Sequence, residues 1–219
     1  MNIDLNKNTH VSFDLWLTLI KSHADFKYKR NLLFRDFFEI SQNIETVAAA
    51  IRHFDVFCND TNQRTGLNFD TFEIYYLILD RLQVDVADIE AAKLSKFYLA
   101  CEDLFLNHMP ILIVDGLENV LKDLQSRNIT TNILSNTAFL KGITLRKVLE
   151  YYQLTPYFNF QIYSDETKIS KPNPAMFGLV YEQANVIKKT HKHQILHIGD
   201  NPIADFEGAL NFGFNAQLV

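Results

Sequence analysis

Apolar positions follow two different periods along the chain. From about Asp25 to Leu104 they recur at helical spacing. Val47, Ile51, Phe54 and Cys58 make one stripe; Phe97, Cys101 and Leu104 make another. Such stripes predict helices that share a core. Asn68 and Asp85 stand where N-caps are expected. Ahead of this stretch, His10-Val11-Ser12-Phe13 is short and β-prone and ends on Asp14, which predicts a strand.

Beyond Pro110, strand-like and helix-like segments alternate. Asp115 with Glu118 suggests a capping box for the stripe Leu117, Val120, Leu121 and Leu124. Ile129 to Leu134 reads as a strand ending at Ser135, with a helix following over about Thr137 to Tyr152. Phe158 to Tyr163 reads as the next strand. Asn173-Pro174 supplies an N-cap with Pro at N1, and Phe177, Val180, Tyr181 and Ala184 form the stripe behind it. Ile195 to Ile198 is a buried-type strand. Asn201-Pro202 then opens a helix with Phe206, Ala209 and Leu210 facing inward, and Asn215 to Val219 closes as a strand. Such alternation predicts a parallel sheet with helices on both faces. Ligands of these sheets sit at the carboxyl ends of the strands. Asp14, Ser135, Asp165 and Asp200 each lie at or just past such an end, and Lys171 lies in a loop beyond one. These residues are expected to converge on one edge.

Composition divides the chain at the same place. Of 7 Gly and 5 Pro, only Gly66 precedes residue 110. Long helices suit the first half, and a loop-rich sheet suits the second. A length of 219 residues suffices for a core plus a small accessory domain. Hydrophobic content of 47% excludes a largely disordered chain. A net charge of −5 argues against a general nucleic-acid or anionic-membrane binder. Cys58 and Cys101 lie on apolar stripes and fit buried thiols in a reducing compartment. The stretch from Met1 to Asn8 has no apolar run of the secretory kind, and no run approaches the roughly 20 residues of a membrane span. A cytoplasmic location is therefore expected.

Two acids, a hydroxyl and a Lys on one sheet edge suit phosphoryl chemistry. Asp14 and Asp200 can hold Mg²⁺, which favours carboxylates, water and phosphate oxygens. Ser135 and the N–H groups of the turn after it can bind phosphate oxygens. Lys171 opposes developing negative charge, and an Asp can act as a covalent nucleophile.

The same residues resemble the motifs of the haloacid dehalogenase (HAD) superfamily. Phe13-Asp14-Leu15-Trp16-Leu17-Thr18-Leu19 resembles motif I, usually Asp-x-Asp-Gly-Thr-Leu. Ile133-Leu134-Ser135-Asn136 is similar to motif II, and Ser170-Lys171-Pro172-Asn173-Pro174 to motif III. His197-Ile198-Gly199-Asp200, with Asp205, resembles motif IV. The resemblance implies an α/β, Rossmann-like core over 1–19 and 107–219, with an α-helical cap of the C1 type over 20–106. It implies Asp14 as nucleophile, with Ser135, Asn136 and Lys171 at the phosphoryl group. Mg²⁺ would be held by Asp14, Asp200 and the backbone carbonyl of Trp16, with Thr18 and Asp205 in support. The implied partner is a small phosphorylated molecule.

Two positions depart from the pattern. Trp16 stands where the family's phosphatases carry the Asp that moves protons, and an indole N–H is a donor only. Leu17 replaces a Gly, which makes a positive φ costly there. Three readings stay open: a Mg²⁺-dependent phosphatase, a 2-haloacid dehalogenase-type hydrolase, and a catalytically silent ligand- or protein-binding member. Lys27, Lys29 and Arg30 read as a solvated helix face, with contact to a substrate anion as the alternative. The run from Lys188 to His193 reads as an exposed loop.

Overall fold

The computed structural model describes residues 7–219; the first six residues of the start read above lie outside it. Strand β1 (His10–Phe13) is the middle of a five-stranded sheet. A short strand β2 (Ile20–Lys21) leads into helices α1 (Phe26–Phe37), α2 (Ile44–Thr65), α3 (Thr71–Arg81) and α4 (Ala91–Asn107). The chain returns through β3 (Ile111–Leu112), antiparallel to β2, so both ends of the helical insert sit side by side. Then follow α5 (Leu117–Ser126), β4 (Thr130–Ser135), α6 (Gly142–Tyr151), β5 (Phe160–Tyr163) and the single turn α7 (Ser164–Thr167). Helix α8 (Pro174–Ile187), β6 (Ile195–Gly199), a π-helical turn (Pro202–Glu207), α9 (Gly208–Phe212) and β7 (Asn215–Leu218) complete the fold.

The strand order is β5-β4-β1-β6-β7, and every pairing is parallel. Alternation along β4 sends Ile133 into one core and Leu134 into the other. The first core joins one face of the sheet to α5, α6 and the helical insert. The second lies under α8 and α9, around Met176, Phe177, Val180 and Phe214. This is the expected α/β arrangement with helices on both faces. Within the insert, Phe34, Phe38, Tyr75 and Phe97 form an aromatic knot, with ring centroids 4.9 to 6.1 Å apart for the Phe34 contacts. Cys58 and Cys101 are buried free thiols.

Several local expectations are corrected. The cap of α3 is Asp70, whose carboxylate accepts from the Phe72 N–H while Glu73 Oε2 accepts from the Asp70 N–H at 2.8 Å. Asn68 instead accepts from the hydroxyls of Ser164 and Ser170 at 2.7 and 3.1 Å. Asp85 caps a single 3₁₀ turn. Gly116, in a left-handed conformation, precedes α5, and no side chain caps that end, so Asp115 and Glu118 form no capping box. Glu118 pairs with Lys122 instead. The segment from Thr137 to Lys141 is a loop, because Asp165 accepts from the Thr137 hydroxyl and from the Gly142 N–H and so starts α6 later. Leu210 is exposed, unlike Ala209 beside it.

Hydrogen bonds and ion pairs tie the insert to the rest of the chain at several places. Glu102 on α4 accepts from Thr144 on α6 at 2.6 Å, and Lys147 pairs with the same carboxylate. In the turn after α2, the Gly66 carbonyl accepts from both sides of Lys171: from the Ser170 N–H at 3.0 Å and from Asn173 Nδ2 at 3.1 Å.

His10 is buried in β1, hydrogen-bonded to Thr130 and Asn132, and burial lowers its pKa from 6.5 to about 4. The unfolded chain therefore binds a proton that the fold resists. Stability is full above about pH 6.5 and falls toward pH 4. We expect wild type to lose about 2–3 kcal/mol more than His10→Gln between pH 7 and 4.5, measured by urea unfolding. An equal loss in both proteins would refute it.

Candidate active site

The site gathers at the carboxyl ends of the central strands. Asp14 leaves β1 with its N–H bonded to the Ile198 carbonyl of β6 at 2.9 Å. Its Oδ1 accepts from Lys171 Nζ at 2.7 Å, and its Oδ2 accepts from the Thr18 hydroxyl at 3.1 Å. Lys171 is 1% exposed and donates also to Asp205 Oδ1 at 2.6 Å and to the Leu134 carbonyl at 2.7 Å. All three ammonium hydrogens thus have acceptors. Asn136 clamps the Lys171 backbone from both sides, accepting from its N–H at 2.8 Å and donating to its carbonyl at 3.0 Å.

Asp205 is held from the other side by His197 Nε2 at 3.1 Å and by the Asn201 N–H at 3.0 Å. His197 Nδ1 in turn meets Ser12 Oγ at 3.0 Å, across the β1–β6 register. Burial keeps the His197 ring below its ordinary pKa, so the neutral ring donates to Asp205. Sequence reasoning missed this support. Its only signal was a polar residue on a strand otherwise apolar.

Asp200 completes the cluster. Oxygens of Asp14, Asp200 and Asp205 lie within 4.8 Å of one another. Three carboxylates face one ammonium, so the cluster carries surplus negative charge. Burial, with the Asp205 and Asp200 charges, raises Asp14 to about 6 despite Lys171. Burial and Asp205 also raise Asp200. Burial alone would raise Asp205, but Lys171 and His197 together hold its carboxyl well below the usual range. Burial would lower Lys171, yet Asp14 and Asp205 outweigh it and keep the ammonium charged. The surplus charge, and an Asp200 carboxylate with no side-chain partner among the described residues, fit a divalent cation.

Gly199 makes this packing feasible. A Cβ there would lie 2.3 Å from the Asp205 carboxylate carbon. We expect Gly199→Ala to cost about 1–3 kcal/mol in thermal or denaturant unfolding, since Asp205 must move. An unchanged midpoint would show that Asp205 is free to shift.

A cleft of about 880 Å³ opens over the cluster, between the sheet edge and α1 and α2. Asp14, Asn136, Lys171, Asp200 and Asp205 reach it. Ser135 is fully buried, and its hydroxyl donates to the Asn136 carbonyl at 3.3 Å. Asp165 lies outside the cluster, at the start of α6, so the structure does not bring it to the site. Trp16 rests against Phe105 of α4, ring centroids 6.0 Å apart. Leu17 adopts φ 59°, the left-handed conformation that its side chain disfavours. The loop therefore keeps a glycine-like shape without the glycine.

The pattern of haloacid dehalogenase-like hydrolases matches residues 9–213. The chain belongs to that family. Among curated relatives of this HAD chain, the Rhythmically expressed gene 2 protein of Drosophila melanogaster is 28% identical over 106 residues. That match covers 48% of this chain and spans 39% of the relative's length. The magnesium-bound HAD-hydrolase YfnB of Bacillus subtilis superposes with a TM-score of 0.69 at 20% identity, covering 98% of this chain and 89% of its own. A 2-haloacid dehalogenase of Pseudomonas syringae pv. tomato superposes at 0.61 with 18% identity, covering 95% and 85%. Both likenesses concern the fold. They do not choose between phosphatase and dehalogenase. Among the described residues, no helix is long and apolar enough to cross a membrane.

Proposed function

We propose that this HAD-like hydrolase is a Mg²⁺-dependent phosphatase for a small phosphorylated molecule. The observation that carries this reading is the acidic cluster around Lys171, with Asp14, Asp200 and Asp205 within 4.8 Å. A dehalogenase-type displacement of halide, followed by hydrolysis of the aspartyl ester, needs no metal and so has no use for that surplus charge. Asp14, Asp200 and the Trp16 carbonyl would hold Mg²⁺, which supplies positive charge against the phosphoryl oxygens. Asp14 attacks phosphorus, the bond to the leaving oxygen breaks, and an aspartyl-phosphate remains. Water then attacks phosphorus, which frees Asp14 and releases inorganic phosphate. Lys171 offsets charge at the nucleophile, and Asp205 holds Lys171 in place. Asn136 and Ser135 shape the phosphoryl end of the site. Helices of the segment 20–106 act as the cap that excludes water.

Nothing at position 16 can protonate the leaving oxygen or activate the water. Leaving groups that depart unprotonated are therefore favoured. The test is phosphate release from aryl, acyl and alkyl phosphates, with Mg²⁺ and with chelator. Release that needs the metal and favours aryl or acyl esters is expected. Halide release from a 2-haloacid without metal would overturn the reading. The packing of Trp16 on Phe105 favours one rival, a silent phosphate binder. Phosphate binding with no turnover on any ester would establish it.

A further inference from the structure

The cleft contains a cation that the phosphoryl chemistry does not use. Arg30, on α1, lines the same cleft as Asp14 and Lys171 and is half-buried. Its guanidinium stacks on Phe139, 4.7 Å from the ring centroid. Nε and Nη2 both donate to Asn31 Oδ1, at 3.3 and 3.0 Å. No carboxylate pairs with it among the described residues, and the Nη1 hydrogens have no protein acceptor there. Two other cations at the cleft are neutralised: Arg52 by Asp55 at 2.8 Å, and Lys171 by Asp14 and Asp205. Burying a guanidinium with no carboxylate in contact is costly, and burial depresses the Arg30 pKa although the nearby Asp55 charge acts against it.

The unpaired fork is also held in place. Phe139 backs the guanidinium, and Asn31 holds one edge. Phe139 belongs to the loop that begins at Asn136, so the stack anchors Arg30 to the phosphoryl end of the cleft. A planar, preorganised donor pair matches an oxyanion better than any neutral group. Lys21 and Lys27 line the cleft as well and add positive charge.

We propose that Arg30 binds a second oxyanion of the substrate, so that the natural ligand is a small phosphate ester that also carries a carboxylate or a further phosphoryl group. The inference rests on the phosphatase reading, because that reading places the first phosphoryl group at Asp14.

The experiment uses stable phosphonates and calorimetry, with Mg²⁺ present, so that turnover plays no part. The ligands are propylphosphonate, 3-phosphonopropanoate and propane-1,3-bisphosphonate. Wild type should bind at least one of the doubly anionic ligands about 10-fold or more tightly than propylphosphonate, the scale of a charge-assisted bidentate contact. The preferred one identifies the second group as carboxylate or phosphoryl. Arg30→Gln should bring the ratio close to one, and Arg30→Lys should retain part of it. Equal affinities in wild type, or a ratio unchanged in Arg30→Gln, would overturn the proposal and leave the phosphatase reading standing. If none of the three ligands binds, the phosphoryl site itself is wrong and the proposal falls with it. Should Arg30→Gln fail to fold, the wild-type ratio and Arg30→Lys decide.

Discussion

Asp14→Asn is expected to abolish phosphate release, by a factor on the order of 10⁴ or more, while the protein stays folded. A carboxamide is no nucleophile toward phosphorus, and loss of a covalent nucleophile removes most of the rate. The fold has little reason to suffer. Asn has the shape of Asp and can keep the Thr18 contact, and Lys171 retains Asp205 at 2.6 Å and the Leu134 carbonyl at 2.7 Å. The sign of the charge effect points the same way. Burial and two neighbouring carboxylates hold Asp14 at about 6, above its ordinary 3.8. Its ionised form therefore weakens the fold at neutral pH. Asp14→Asn should be at least as stable as wild type in chelator at pH 7, judged by the melting midpoint. Activity that survives the substitution would remove Asp14 from its proposed role. A variant that unfolds would instead show that the carboxylate holds the sheet edge together.

Trp16→Asp should raise turnover of alkyl phosphates by about 10²–10⁴, the usual worth of a positioned acid–base group. Aryl phosphates should gain less, since their leaving oxygens need no proton. In wild type the aspartyl-phosphate should outlive the leaving group, because no residue at position 16 activates water. Acid-quenched enzyme should then hold phosphate on Asp14, and Trp16→Asp should hold less. The substitution also removes the Trp16 contact with Phe105, so some loss of thermal stability is expected. A folded variant with no gain on alkyl esters would sink the idea that only the acid–base group is missing. Leu17, held at φ 59° where the family has Gly, would then be the next position to change.

Much of the sheet was legible because its signals are local. The β-prone run at His10, the Asn173-Pro174 cap and the apolar run at Ile195 each depend on near neighbours in the chain, and all three became the expected elements. Asp14 and Asp200 were legible for the same reason, since each sits just past a strand's end, whereas Asp205 was read only from the motif resemblance. What failed depended on distant partners. The loop before α6 exists because Asp165 captures Thr137 and Gly142, 28 and 23 residues away. Asn68 lost its capping role to hydroxyls 96 and 102 residues distant. Arg30 looked like part of a solvated basic face, and its partial burial against Phe139 and Asn31 sets it apart from the exposed Lys27 and Lys29.

The avoidance of Gly and Pro before residue 110, and the alternation after it, were enough to separate a helical insert from a parallel sheet. Periodicity is a property of one segment, so the chain alone determines it. The convergence of Asp14, Lys171, Asp200 and Asp205 is different. It needs β1 to pair with β6 in the register that sets Ser12 beside His197, and it needs Gly199 bare so that Asp205 can close on Lys171. Those are contacts across up to 185 residues. Only the packed sheet decides them, because charge and burial act through space rather than along the chain.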